Sequence, residues 1–198
     1  RVDSNQRRMP SSYKPLPSAD IRAVQRAADG FGAGDSYWLG SAAGLFRVGG
    51  LFSTYTADAL TIDVGNGMSE SFGECVNTVI RAGSYLWIGT DRGLFLGHPE
   101  GHFSRVDPAT LPGGNNNAGG PAIHVIRQIG VEVWVGTSAG IGVFSLEAEH
   151  LSNTIGQLLG AAEEGVIPVP VTDIIIGGGA GDVWVATESK YKIPIRGD

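Results

Sequence analysis

Three features of this 198-residue sequence predict an all-β fold, a β-propeller with four Trp-centred blade repeats. A tryptophan segment recurs four times, apolar strands flank each copy, and glycine, at 31 residues, is about twice as frequent as usual. Many glycines among β-branched and aromatic residues signal tight turns between short strands.

The repeat comes first. Its copies read Tyr37-Trp38-Leu39-Gly40-Ser41, Leu86-Trp87-Ile88-Gly89-Thr90, Val133-Trp134-Val135-Gly136-Thr137 and Val183-Trp184-Val185-Ala186-Thr187. The tryptophans are 49, 47 and 50 residues apart, and all four Trp residues of the chain hold this position. A period near 48 residues suits a propeller blade of four strands. Ahead of each Trp lies a strand with apolar residues at i and i+3: Ile21 and Val24, Val76 and Val79, Ile123 and Ile126, Val171 and Ile174. In a regular strand those positions face opposite ways, so both faces should be apolar and covered. The Trp strands, with consecutive apolar residues, say the same. After the Trp strand come Gly44-Leu45-Phe46, Gly93-Leu94-Phe95 and Gly140-Ile141-Gly142-Val143-Phe144, whereas the fourth copy has Lys190-Tyr191-Lys192-Ile193 without glycine. Each Trp is expected to be structural, filling the gap between adjacent blades.

The expected organisation is an N-terminal strand or linker at 1–18 and propeller repeats over 19–198, with blades near 19–56, 74–106, 121–146 and 169–195. The last copy ends after its third strand near Ile195, and Arg1-Val2-Asp3 echoes Arg105-Val106-Asp107. Two arrangements follow: a closed four-bladed ring latched by a strand at Ser11–Leu16, or part of a larger propeller completed by further blades or another chain. The stretches 57–74 and 108–122 read as Gly-rich linkers. Leu146, Leu151, Ile155, Leu158 and Leu159 have near-helical spacing, which predicts a short helix within 146–164.

Charge narrows the partners. The net charge is −6. Arg1, Arg7, Arg8 and Lys14 against Asp3 give residues 1–18 a charge of +3, so the rest carries −9. An acidic body repels nucleic acid and anionic membrane. No stretch of 18 apolar residues is present, so direct membrane insertion through a helix is not expected. The single cysteine, Cys75, forms no internal disulfide and reads as a small buried hydrophobe.

The repeats resemble those of the two-component regulator propeller family. The match is carried by Val76-Asn77-Thr78-Val79 and Leu86-Trp87-Ile88-Gly89-Thr90-Asp91-Arg92-Gly93-Leu94-Phe95, with Leu16-Pro17-Ser18 at a blade start and His102-Phe103-Ser104-Arg105 at an outer strand. The resemblance implies an extracytoplasmic (periplasmic or secreted) sensor domain of a larger regulator that binds a small ligand, often a glycan.

No catalytic set stands out, so a non-catalytic ligand-binding or sensing module is expected, with no cofactor and no metal. His98 and His102 flank a turn at Pro99 and read as surface residues. Gly177–Gly181 runs into the Trp184 strand instead of a helix and lacks a Gly-Lys-Ser/Thr ending, so it reads as a hairpin turn. Arg196-Gly197-Asp198 is a three-residue match and reads as chance. Propeller ligands sit at the channel mouth, which puts Arg22, Asn77, His124 and Thr172 beside the first strands and Asp91, Arg92 and Glu188 on the following loops. Asp173 either faces that channel or pairs with Arg22. The alternatives are a protein-interaction scaffold within a larger assembly and a propeller lyase or glycoside hydrolase, whose paired carboxylates would be Asp91 and Glu188.

Overall fold

A computed structural model describes residues 20–27, 36–49, 56–59, 61–65, 68–99, 103–114, 120–146, 157–159, 169–177, 182–188 and 193–195. The segments 1–18 and Gly178–Gly181, the tripeptide Arg196–Asp198, His102 and most of 146–164 lie outside them.

The chain is all-β and forms four sheets in sequence order. Sheet 1 holds β1 (Ile21–Ala27), β2 (Ser36–Ser41), β3 (Gly44–Gly49) and β4 (Thr56–Ala59). Sheet 2 holds β5 (Thr61–Gly65), β6 (Met68–Ser71), β7 (Val76–Ala82), β8 (Tyr85–Thr90), β9 (Gly93–Gly97) and β10 (Phe103–Arg105). Sheet 3 holds β11 (Ile123–Ile129), β12 (Glu132–Thr137), β13 (Gly140–Ser145) and β14 (Gln157–Leu159). Sheet 4 holds β15 (Val171–Gly177), β16 (Asp182–Thr187) and β17 (Ile193–Ile195). Neighbouring strands run antiparallel throughout, apart from one parallel bridge at Phe103 and Ile62. None of the sheets closes on itself.

Two expectations about linkers change. The stretch 57–74 contains β5 and β6, which extend the outer edge of sheet 2. Within 146–164 the described residues form β14, not a helix, because the outer edge of β13 takes it as a fourth strand. Nor is 108–122 wholly a surface loop. Pro108–Thr110 is a 3₁₀ turn whose first amide is capped by Asp107, and Leu111 behind it is buried.

The Trp strand is the centre of each sheet. In sheets 1 to 3 the hydroxyl that ends it, on Ser41, Thr90 or Thr137, donates to the carbonyl of Gly44, Gly93 or Gly140 at 3.2, 2.9 and 3.1 Å. The same oxygen accepts from the backbone N–H of Ala43, Arg92 or Ala139. These buried hydroxyls close the turn into the next strand. The turn forces φ to +124°, +133° and +132° at the three glycines, a region that costs side-chain-bearing residues energy.

The core consists of three seams between successive sheets. The first joins Trp38 and Leu45 of sheet 1 to Val76, Val79, Leu86 and Ile88 of sheet 2. The second joins Trp87 and Leu94 to Ile123, Ile126, Val133 and Val135. The third joins Trp134, Ile141 and Val143 to Val171, Ile174, Val183 and Val185. Burying a Trp of ~150–250 Å² contributes ~4–6 kcal/mol as an upper bound.

Trp184 departs from the expectation that every Trp fills such a gap. It is 48% exposed, whereas Trp38, Trp87 and Trp134 are 1%, 1% and 3% exposed. No described sheet covers its face. At the other end of the stack, Val24 is also exposed on the face of sheet 1 that points away from sheet 2.

Candidate functional site

The i, i+3 pattern of the first strands has a different cause from the one the sequence suggests. All four first strands carry a register shift at the same place: between Ile21 and Ala23, Val76 and Thr78, Ile123 and Val125, and Val171 and Asp173. The shift is a β-bulge, one extra residue in the strand. It puts i and i+3 on one face. Val76 lies opposite Thr90 and Val79 opposite Ile88, two residues apart on β8. The inserted residue is then free of the ladder. In the four copies it is Arg22, Asn77, His124 and Thr172.

Those four side chains line a single cavity of about 330 Å³, with Gln25, Arg127 and Asp173 beside them. A bulge re-aims the residue it inserts, so four equivalent bulges turn four otherwise unrelated residues toward one space. Asp91, Arg92 and Glu188 do not line it. Their loops are instead tied to the starts of the first strands by one recurring backbone hydrogen bond. The N–H of Ala42, Asp91, Ser138 and Glu188 donates to the carbonyl of Asp20, Cys75, Ala122 and Pro170 respectively.

The polar groups form two chains that cross the seams. In the first, Asp20 accepts from Arg22 Nε at 3.2 Å, and Arg22 Nη1 donates to Asn77 Oδ1 at 2.9 Å. Asn77 Nδ2 donates to Asp91 Oδ1 at 2.7 Å and to the Ile123 carbonyl at 3.2 Å. One amide thereby connects sheets 1, 2 and 3. In the second, Arg127 Nη2 donates to Asp173 Oδ1 at 3.0 Å, connecting sheets 3 and 4. Asp173 therefore faces the cavity and pairs with Arg127, not Arg22. Arg92 points away and lies 3.7 Å from Glu74.

The hydrogen bond from Asn77 holds the Asp91 carboxyl below its ordinary range against a smaller opposing effect of burial, and Cys75, Arg22 and His124 add to the lowering. Hydrogen bonding to Asp20 raises the Arg22 guanidinium, so that group is a permanent cation. Cys75 is half-buried, not a core residue, and Arg22 Nη1 donates to its sulfur at 2.8 Å. Burial first, and then the hydrogen bond with Asp91, pushes its thiol pKa up. A thiol shifted that way is a poor nucleophile at neutral pH. Among the described residues, no three His, Cys, Asp or Glu side chains cluster as metal ligands would. No described helix is long and apolar enough to cross a membrane.

Sequence reasoning placed the four bulge residues at the mouth but missed Gln25 and Arg127. Arg127 has no local signal, because its partner Asp173 lies 46 residues away on another sheet.

No family profile matches the chain, and no curated protein does. Among solved structures, the chain resembles the extracellular domain of a hybrid two-component system protein from B. thetaiotaomicron, with a TM-score of 0.59 and 16% identity. The match covers 94% of this chain and 24% of that one, so the chain spans about a quarter of the neighbour's length. The likeness is one of fold.

Proposed function

We propose that this chain is a non-catalytic ligand-binding module, a run of β-propeller blades that serves as the sensing part of a larger extracytoplasmic protein. One observation carries the reading: four bulges at one repeat position aim Arg22, Asn77, His124 and Thr172 into one cavity. The lining offers guanidinium, amide, imidazole, hydroxyl and carboxylate groups within a small volume. That set suits a small polyhydroxylated ligand such as a glycan fragment, whose hydroxyls both donate and accept. The fold likeness to an extracellular domain of a two-component system supports the sensing context and the extracytoplasmic placement. The raised Cys75 thiol, and Asp91 engaged by Asn77, argue against nucleophilic or acid–base work at this place.

The test is a thermal-shift screen of the 198-residue chain against neutral and acidic oligosaccharides. A binder raises the melting temperature with saturating concentration dependence. His124→Ala and Thr172→Ala disturb no hydrogen bond between sheets, the latter removing only the hydrogen bond from Thr172 Oγ1 to the Ala186 carbonyl within sheet 4, and both should abolish the shift while lowering the unliganded melt little. No shift with any sugar, or a shift indifferent to both substitutions, would remove this reading.

A protein-interaction role has its own supporting observation, the uncovered Trp184 face.

A further inference from the structure

The four bulge residues differ in what their hydrogen bonds leave them free to do. Arg22 is committed. Its Nε and Nη2 lie 3.2 and 3.1 Å from Asp20 Oδ2, and Nη1 donates to Cys75 Sγ and Asn77 Oδ1. Asn77 is committed too, since Oδ1 accepts from Arg22 while Nδ2 donates to Asp91 and to the Ile123 carbonyl. An amide nitrogen has two N–H groups, so none is left for a ligand. These two residues form the wall of the cavity on sheets 1 and 2. The half on sheets 3 and 4 is open. His124 makes no hydrogen bond among the described residues. Thr172 donates to the Ala186 carbonyl at 3.3 Å and keeps its oxygen free to accept. Beside them lie Arg127 and Asp173, whose side chains are 45% and 43% exposed and so open to a ligand.

That pair keeps unspent groups on both partners. Arg127 gives one N–H to the Ile126 carbonyl and one to Asp173 Oδ1, and a guanidinium has five. Asp173 Oδ1 takes that bond and one from the Ile174 N–H, while Oδ2 takes none among the described residues. A carboxylate oxygen beside guanidinium N–H groups matches two adjacent hydroxyls, one donating and one accepting. The charges decide against an anion. Arg22 is matched by Asp20 and Arg127 by Asp173, and Asp91 adds a negative charge behind Asn77. An acidic ligand therefore meets no unmatched arginine and brings its own charge beside Asp173. We propose that the Arg127–Asp173 pair is the specificity determinant of this cavity, selecting neutral sugars with vicinal hydroxyls and rejecting uronic acids; this rests on the binding role given above. Asp173 accepts from one hydroxyl through Oδ2, Arg127 donates to the next, and Arg22 and Asn77 hold the wall.

The experiment is titration calorimetry of the 198-residue chain at about pH 8. The probes are neutral trisaccharides of glucose, galactose and mannose and the matching trisaccharides of glucuronic, galacturonic and mannuronic acid. At least one neutral trisaccharide should bind, and its uronic counterpart should bind about tenfold more weakly or not at all. Two variants move that ratio in opposite directions. D173N leaves Arg127 without its carboxylate, so it should weaken the neutral sugar about tenfold and tighten the uronate about tenfold, reversing the preference. R127Q leaves Asp173 without its cation and should weaken both sugars, the uronate more. Circular dichroism and the unliganded melt check the fold of each variant, and the wild-type preference tests the proposal with no substitution at all. A uronate that binds the wild type as tightly as its neutral counterpart would overturn the proposal while leaving the binding role intact. So would a folded D173N chain whose preference does not move toward the uronate. Absence of binding by every one of these sugars would overturn both.

Discussion

Trp87 and Trp184 hold the same place in the same repeat, yet one is 1% and the other 48% exposed. Their own strands are closely similar, Leu-Trp-Ile-Gly-Thr against Val-Trp-Val-Ala-Thr. What differs is the sheet that follows. Trp87 meets Ile123, Ile126 and Val135 of sheet 3, and its ring lies 5.6 Å from that of Phe144. Among the described residues, Trp184 has no such neighbour. Burial in this fold belongs to the seam between sheets, not to the strand that contributes the large residue. A repeat motif can therefore be intact in sequence while its energetic contribution is absent.

Four measurements break or sharpen that contrast. The largest effect is expected at the tryptophans. Trp87→Ala should cost ~3–5 kcal/mol in urea unfolding, and Trp184→Ala below about 1 kcal/mol. Similar costs would mean that Trp184 is buried in solution. Next are the residues two positions later. Gly89→Ala should cost ~1–3 kcal/mol, since its Cβ overlaps Ile123 and Thr78, whereas Ala186→Gly should lose only the ~0.5–1 kcal/mol of added chain freedom. Third is the turn hydroxyl. Thr90→Val removes a donor to Gly93 and an acceptor for Arg92 and should cost ~1–2 kcal/mol.

The smallest effect is with pH. Asp91 has a folded pKa below its unfolded value of ~3.9. Its contribution is complete above that unfolded value and is lost as the pH falls through the lower folded one. Because the group is largely exposed, the effect should stay below about 1 kcal/mol. Unfolding curves from pH 5 to pH 2.5 should show it in the wild type. Asn77→Ala, which removes the main cause, should flatten the profile.

The parts of the fold legible in the sequence were those set by strong local patterns. Four tryptophans at one spacing, each followed by a small residue and a hydroxyl, identify the central strand and its turn. The bulges were hidden because an i, i+3 apolar pair has two explanations. A flat strand buried on both faces and a bulged strand buried on one leave the same letters, and only the partner strand's register separates them. The strands β5, β6 and β14 were hidden because they join their sheets by backbone pairing at an edge, which leaves no local pattern in the sequence. At the site, the bulge residues could be placed by repeat position alone. The pairing of Arg127 with Asp173 depends on how two sheets are stacked, which no single strand records.

The bulges have a consequence for how such a chain changes over time. The residue just before each bulge is Ile21, Val76, Ile123 or Val171, and the last three are buried in the seams. The inserted residue lies outside those apolar contacts, although Arg22 and Asn77 bridge two sheets through hydrogen bonds, and across four copies it is Arg, Asn, His and Thr. On the binding role proposed above, scaffold and recognition are written in separate letters of the same strand. On that same role, where the inserted residue does not bridge two sheets, as at His124 and Thr172, rewriting a single letter would change the specificity while the spelling of the fold is left alone.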